Sequence, residues 1–534
     1  MAVARRTVVA GLLLVLAAST ASCSRGTQGG SSSGAKALPP GQQTVTVAAG
    51  PDEYYEDPKH PTIGQYPVNA NIFDTLVRMT PDYREVPDLA TRGKCTAPNT
   101  WRFFLRHGVK FQNGKPFDAR AVKYTMNLLA TSGAGSYIGI DKNATVKVVN
   151  RYTVDITPSF PNRRLVEQLV HPSNSIVAPG SKPAHPVGTG PFKLVSYQRN
   201  RQIVVEPWDG YWGTKPKLQR LTFKFIPDAN DRVLALESGQ VQAAFSVPRE
   251  SASEVASRPQ LRLARSSVGA YEALYFDIRG APGFRLGQNP SLRKAVALSI
   301  DRNVIVNKVW QGNAAVIQTM VPPAILGRYA GTVKGFPYDP GKARQILDGQ
   351  GWKPAAGGGI RERGGKPLSL TMVVGFPNAD VHGTMPEAVK SMLADVGIDL
   401  QIKTEPDENS YFDTLSRGQG DLFAEVGSQN DANPCFLPDL LFYFQGTSHG
   451  DYGYRFGPGA AFDKVIRTQC RQGVTEQDAQ KGAAQAMHII IDEENIVIPI
   501  AGIFTLYGLS DNVQGFTPHP SNTNQSWSTV WLSR

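Results

Sequence analysis

The stretch that most constrains this chain is its N-terminus, because it decides the compartment in which everything after it folds. Arg5 and Arg6 supply a positive end, Val8 to Ala18 form an apolar run, and the small residues Ala21 and Ser22 precede Cys23. That three-zone plan is a secretory signal peptide. The run is far shorter than the roughly 20 residues a helix needs to cross a bilayer. Residues 1–22 therefore read as a cleaved signal, and the rest of the chain is expected to fold outside the cytoplasm.

Residues 23–43 carry Gly29-Gly30-Ser31-Ser32-Ser33-Gly34 and Pro39-Pro40 and have little apolar surface to bury, which predicts a flexible tether. The remaining ~490 residues are enough for roughly three domain-sized units. Net charge is +11, or +9 once Arg5 and Arg6 leave. The basic residues are scattered and no nucleic-acid motif accompanies them, so nucleic acid is not an expected partner. A basic exterior suits an anionic membrane surface.

Strand-like runs alternate with helical ones. Strands are predicted at Thr44–Ala49, Arg102–Leu105, Val109–Phe111, Ile203–Val205, Leu221–Ile226, Leu370–Val374, Ile398–Ile402 and Asn495–Leu506, with a tight turn at Asn113-Gly114. Asp118 caps a helix from Ala119 with Val122, Met126 and Leu129 on one face. Further helices carry Leu292, Val296 and Ile300 behind Ser291 as cap, Asp339-Pro340 through Leu347, and Ala483 to Ile491. Strands mixed with helices, without a repeat, argue α/β.

Enzyme signatures do not assemble. Gly30 to Gly34 fits GxSxG only formally, since it lies in the tether with no strand before it or helix after it. No HExxH occurs, and His107, His171 and His185 stand at no metal spacing. Glu493-Glu494 reads as a solvated helix end, and Arg293-Lys294 as a solvated helix face. No catalytic residue, cofactor or metal is expected. Beyond Cys23 the chain has Cys95, Cys435 and Cys470, with no CxxC pair. In an oxidising compartment Cys435 and Cys470, in one C-terminal stretch, are the expected disulfide, leaving Cys95 free.

Two resemblances follow from these residues. The small residues before Cys23 resemble the lipobox of bacterial lipoproteins, which implies a diacylated Cys23 anchoring the chain to the outer face of the cell membrane, or to the periplasmic face in a Gram-negative cell. The second spans nearly the whole mature chain. Phe73-Asp74-Thr75-Leu76-Val77, Val86-Pro87-Asp88-Leu89-Ala90, Phe103 to Phe111, Pro186-Val187-Gly188-Thr189-Gly190-Pro191-Phe192, Asp209-Gly210-Tyr211-Trp212, Leu236 to Val241, Leu292 to Arg302 and Tyr338-Asp339-Pro340 occur in one order. Together they resemble the oligopeptide- and dipeptide-binding proteins of extracellular solute-binding family 5.

That resemblance implies a two-lobed, periplasmic-binding-protein-like fold with a subdomain inserted in the first lobe. Lobe I is expected at 44–70, 186–270 and 498–534, the insert at 71–185 and lobe II at 271–497. It implies a substrate-binding lipoprotein of an ABC importer, monomeric, which captures an oligopeptide or peptide-like solute by lobe closure and delivers it to permease subunits. In the family, a Gly-Trp-x-Ala-Asp-Tyr-x-Asp-Pro stretch offers an Asp to the peptide ammonium. Here Gly427 to Pro434 corresponds, with Ser428 in place of the Trp and either Asn430 or Asp431 at the acid. Tyr54 and Tyr55 after the first strand, and Tyr271 and Tyr275 at the crossing into lobe II, are the other candidate ligand residues. The departures at 428 and 430 leave room for a non-peptide ligand (an oligosaccharide, a chelated metal or an opine), and a ligand-sensing lipoprotein without transport is a further alternative.

Overall fold

The computed structural model describes residues 36–52, 66–97, 99–131, 140–159, 161–182, 185–278, 281–284, 286–375, 383–442, 459–521 and 524–534. Ten strands make the backbone of one long mixed sheet. They are β1 (Thr44–Ala49), β2 (Phe192–Gln198), β3 (Gln202–Pro207), β4 (Arg220–Phe225), β5 (Ala243–Phe245), β6 (Leu261–Phe276), β7 (Ser369–Val374), β8 (Asp399–Thr404), β9 (Leu422–Ser428) and β10 (Val497–Ser510). Their spatial order is β8-β7-β9-β6-β10-β5-β1-β4-β3-β2, with Ala314–Ala315 added beside β10.

β1 lies between β4 and β5, parallel to both. Its neighbours shield it on each side, and from Val45 on it is buried apart from the half-buried Thr46. Val45 and Val47 face one apolar cluster with Phe223 and Trp527, while Ala48 faces a second under the helix Ala229–Glu237. The other end of the sheet has the same plan, with β7 parallel to β8 and to β9.

The two ends are joined through β6 and β10, of 16 and 14 residues. Leu261 to Arg265 pair with the far end of β10, beside β5. Ala270 to Phe276 pair with the near end of β10 and with β9. Register slips between Arg265 and Val268 and again between Val268 and Ala270. Such bulges bend a strand and increase its twist. The gap is bridged by Ser266, whose hydroxyl accepts from Thr505 N at 2.9 Å.

A separate four-stranded antiparallel sheet is made of Ala90–Ala97, Thr100–Leu105, Thr153–Thr157 and Thr145–Asn150, in that order, with the helix Ala119–Thr131 packed on it. Its apolar core runs without a break into that of the half carrying β7 to β9. No helix among the described residues is long and apolar enough to cross a membrane.

Three local expectations are corrected. Val109 to Phe111 is not a strand: only the bridge from Lys110 to Pro116 forms, around the Asn113-Gly114 turn with Gly114 at φ 81°. The helix Pro290–Ser299 is capped by Asn289, whose side chain accepts from Ser291 N and Leu292 N. Arg293 is not solvated. It is 2% exposed and donates to the carbonyls of Gly287, Gln288 and Glu494, pinning its helix to the turn before β10. Lys294 beside it is exposed, as is Glu493-Glu494.

Candidate functional site

β9 leaves the sheet beside the crossing, and the chain then winds through residues 429–434. Gln429 N donates to Gly269 O at 3.2 Å, tying the loop to the register break in β6. The Gln429 side chain is fully buried, and its amide donates to Asp431 O, Asp431 Oδ1 and Asn433 O at 2.9–3.1 Å. Asn433 N donates to the same Asp431 oxygen. The loop is wound around its own polar groups, as Asn and Asp side chains permit. Its far end is fixed by the Cys435–Cys470 disulfide and by Arg471, which donates twice to Asp439.

Three parts of the molecule meet at this loop. Ala432 N donates to Glu167 O, Ser521 Oγ lies 3.2 Å from Asn430 Oδ1, and Gly269 belongs to the crossing strand. A Cβ at Gly269 would run into the Pro520 carbonyl, so only glycine admits the C-terminal segment this close. Beside the loop, Arg164 and Glu167 form a buried ion pair at 2.6 Å, and Arg164 Nη2 donates to Gly473 O. Among the described residues Glu167 Oε2 and Gln429 Oε1 are buried without a hydrogen-bond partner.

Acid outweighs base here. Burial pushes the carboxyl of Asp431 well up, and the charge of Glu167 adds to the effect. Glu167 is itself raised by burial, against the opposing pull of Arg164. Glu85 keeps contact with water but is ringed by protein. That desolvation, with Glu167 and Glu476 nearby, takes it to about 8.

Of the candidate ligand residues, Asn430 is half-buried and faces the C-terminal segment, while Asp431 turns into the loop. Tyr271 and Tyr275 lie in the core, 2% and 0% exposed, with their hydroxyls 3.3 Å apart and Tyr275 donating to Met320 Sδ. Tyr271 occupies the space that a side chain at Gly427 would fill. Tyr54, Tyr55 and Cys23 fall outside the described residues. Glu85, Arg164, Glu167 and Ser521 carry no sequence signal of their own. They are gathered only by the packing of distant segments. Among the described residues no group of three or more His, Cys, Asp or Glu is arranged to hold a metal.

The recurring sequence blocks converge on a second place. Asp74 is buried, and its Oδ2 accepts from Thr189 Oγ1 and Trp212 Nε1, both at 2.9 Å. Gly188 and Gly190 press against the Ile72 backbone, where any Cβ would collide. Gln112 locks the junction, donating to Ile72 O, Gly190 O and Phe192 O while accepting from Gly188 N. Arg106 lies over the Trp212 ring at 4.4 Å and donates to Asp88 O. Trp212 thus packs and donates at this junction.

Comparison with known proteins agrees with this architecture. Residues 84–449 match the family model described as bacterial extracellular solute-binding proteins, family 5 Middle. The glutathione-binding protein GsiB of Salmonella paratyphi A is 33% identical over 265 residues, covering 47% of this chain and 50% of that protein. The chain thus spans about half the length of the curated relatives it matches. Among solved structures, NikA from Brucella suis in complex with Fe(III)-EDTA superposes with a TM-score of 0.80 at 23% identity, covering 92% of this chain and 100% of that one. DppA from Helicobacter pylori in complex with the peptide STSA gives 0.71 at 20% identity, covering 92% and 98%.

Proposed function

The chain belongs to the bacterial extracellular solute-binding proteins of family 5, and from that premise we propose that it captures an oligopeptide or peptide-like solute between two lobes and delivers it to the permease of an ABC importer. The family is one of binding proteins and not of enzymes. The lobes of this reading are 44–70 with 186–270 and 498–534, and 271–497, with 71–185 inserted. Cys23 carries a lipid that holds the tethered protein at the membrane surface, where a released ligand meets the permease.

The observation that carries the proposal is the crossing. Two long strands join the halves of the sheet, and β6 breaks register where the loop 429–434 and the C-terminal segment meet it. Bending there moves the two halves of the sheet relative to each other. A ligand that touches both halves only in the closed form shifts the equilibrium by its differential contacts. The names of relatives, glutathione for GsiB and a bound peptide for DppA, favour a peptide-like solute.

A specific observation favours a second reading, a non-peptide ligand. Asp431 Oδ1 is held by Gln429 and Asn433, and Ser428 stands where the family has tryptophan, so recognition of a peptide ammonium is weakened. A thermal-shift screen of the ligand-stripped protein separates the two. At ~100 times Kd, binding adds ~2.7 kcal/mol. Stabilisation by free di- to pentapeptides, lost on N-acetylation, supports the peptide reading. Stabilisation only by oligosaccharides or metal chelates replaces it.

A further inference from the structure

A cavity of about 610 Å³ opens between the inserted subdomain and the C-terminal segment, within the size range of small-molecule sites. Its walls include Asp74, Arg78, Asp88, Arg106, Trp212 and His519. Tyr271, Tyr275, Asn430 and Asp431 do not line it, so it lies apart from the loop at the crossing.

Two guanidinium groups face this space. Arg78 is solvent-exposed and makes no hydrogen bond or ion pair with any described residue. Arg106 spends its Nε on Asp88 O and its face on Trp212, leaving its terminal nitrogens without partners among the described residues. The two carboxyls in the same wall are near enough for Arg78 to attract both and for Arg106 to attract Asp88, but among the described residues neither side-chain carboxylate takes a hydrogen bond from a guanidinium. Asp74 is engaged by Thr189 and Trp212, and Asp88 accepts from Thr75 N at 3.2 Å. His519 is fixed between Met79 O and Ser521.

We infer that this cavity is a second binding site, for a small molecule bearing a carboxylate or phosphate group that Arg78 and Arg106 clamp. A guanidinium presents paired donors in a fixed plane that matches such oxyanions. The facing carboxyls do not oppose an anion as strongly as their number suggests. Burial raises both, and the charge of Asp74 raises Asp88 further, while Arg78 pulls both down and Arg106 pulls on Asp88. His519 is pushed down to about 4 by burial and is neutral at physiological pH. An occupant would touch both the insert, through Arg78 and Arg106, and the C-terminal segment.

The test is calorimetric titration of the full-length protein with sodium citrate and with inorganic phosphate, at constant ionic strength, with chloride as control. At least one of the two anions is expected to bind saturably where chloride does not. Citrate alone assigns a carboxylate ligand, and phosphate alone a phosphate. Arg78→Gln, at an exposed position that leaves folding intact, is expected to weaken that binding tenfold or more. Arg78→Lys, which keeps the charge but loses the fork, is expected to fall between. No saturable heat with either anion, or binding unchanged in Arg78→Gln, overturns the assignment.

Discussion

Asp74 shows how much a single side chain decides in this molecule. It accepts from a threonine and a tryptophan that arrive from segments more than a hundred residues away, and the glycines at 188 and 190 let those segments come close enough. Removing its carboxyl strands the buried Thr189 hydroxyl and the half-buried Trp212 N–H, and each such loss costs about 1–3 kcal/mol. Asp74→Ala is therefore expected to lower stability in urea by about 3 kcal/mol. Because burial already raises this carboxyl, Asp74→Asn, which resembles the protonated form, is expected to lose much less. The blocks that form this junction were legible in the sequence, since each is short and local. Arg293 was not. Its helical spacing suggested a solvated face, but the carbonyls of Gly287 and Gln288 and, some two hundred residues later, that of Glu494 converge on it. Asn430 and Asp431 were equally ambiguous. One residue of register separates them; in the fold Asp431 is held inside the loop by Gln429, and Asn430 faces Ser521.

Among elements, the crossing strand β6 is the least readable. Arg265-Ser266-Ser267-Val268-Gly269 has no alternation, because the register breaks there and the two halves of the strand face different neighbours. Gly269→Ala is expected to push the C-terminal segment away from the strand. Faster amide exchange at Asp511 to Ser521, with that of β1 unchanged, would show it. The loop after β9 depends in turn on Cys435–Cys470, which closes a 35-residue separation. Replacing both cysteines by serine is expected to cost about 2–4 kcal/mol of unfolding free energy, chiefly by releasing the unfolded chain. A variant that unfolds at the same urea concentration as the parent would show that the bond contributes nothing.

On the scale of the whole molecule, the inserted subdomain meets the half carrying β7 to β9 across an excess of acid. Glu85, Glu167, Glu476 and Asp431 face each other with Arg164 as the cation among them. Glu85, Glu167 and Asp431 are raised, so their protonated forms are favoured by the folded state. That contribution is complete below the ordinary carboxylate range and is lost as pH rises toward about 8, the value for Glu85. The melting temperature is expected to fall between pH 5 and pH 8, and Glu85→Gln with Glu167→Gln to flatten the dependence. An unchanged slope in that double variant would remove these groups from the account. The two-lobed plan itself could be read from the order of the sequence blocks. The acid cluster could not, because its members come from four separate segments.

The central claim is that the two halves close on a solute, and small-angle X-ray scattering tests it most directly. The ligand-stripped protein would be measured alone and after titration with a di- to pentapeptide pool, alongside the thermal shift on the same samples. The account predicts a radius of gyration that falls as the melting temperature rises. A melting temperature that rises while the radius of gyration stays constant would contradict it, since the solute would then bind without bringing the lobes together.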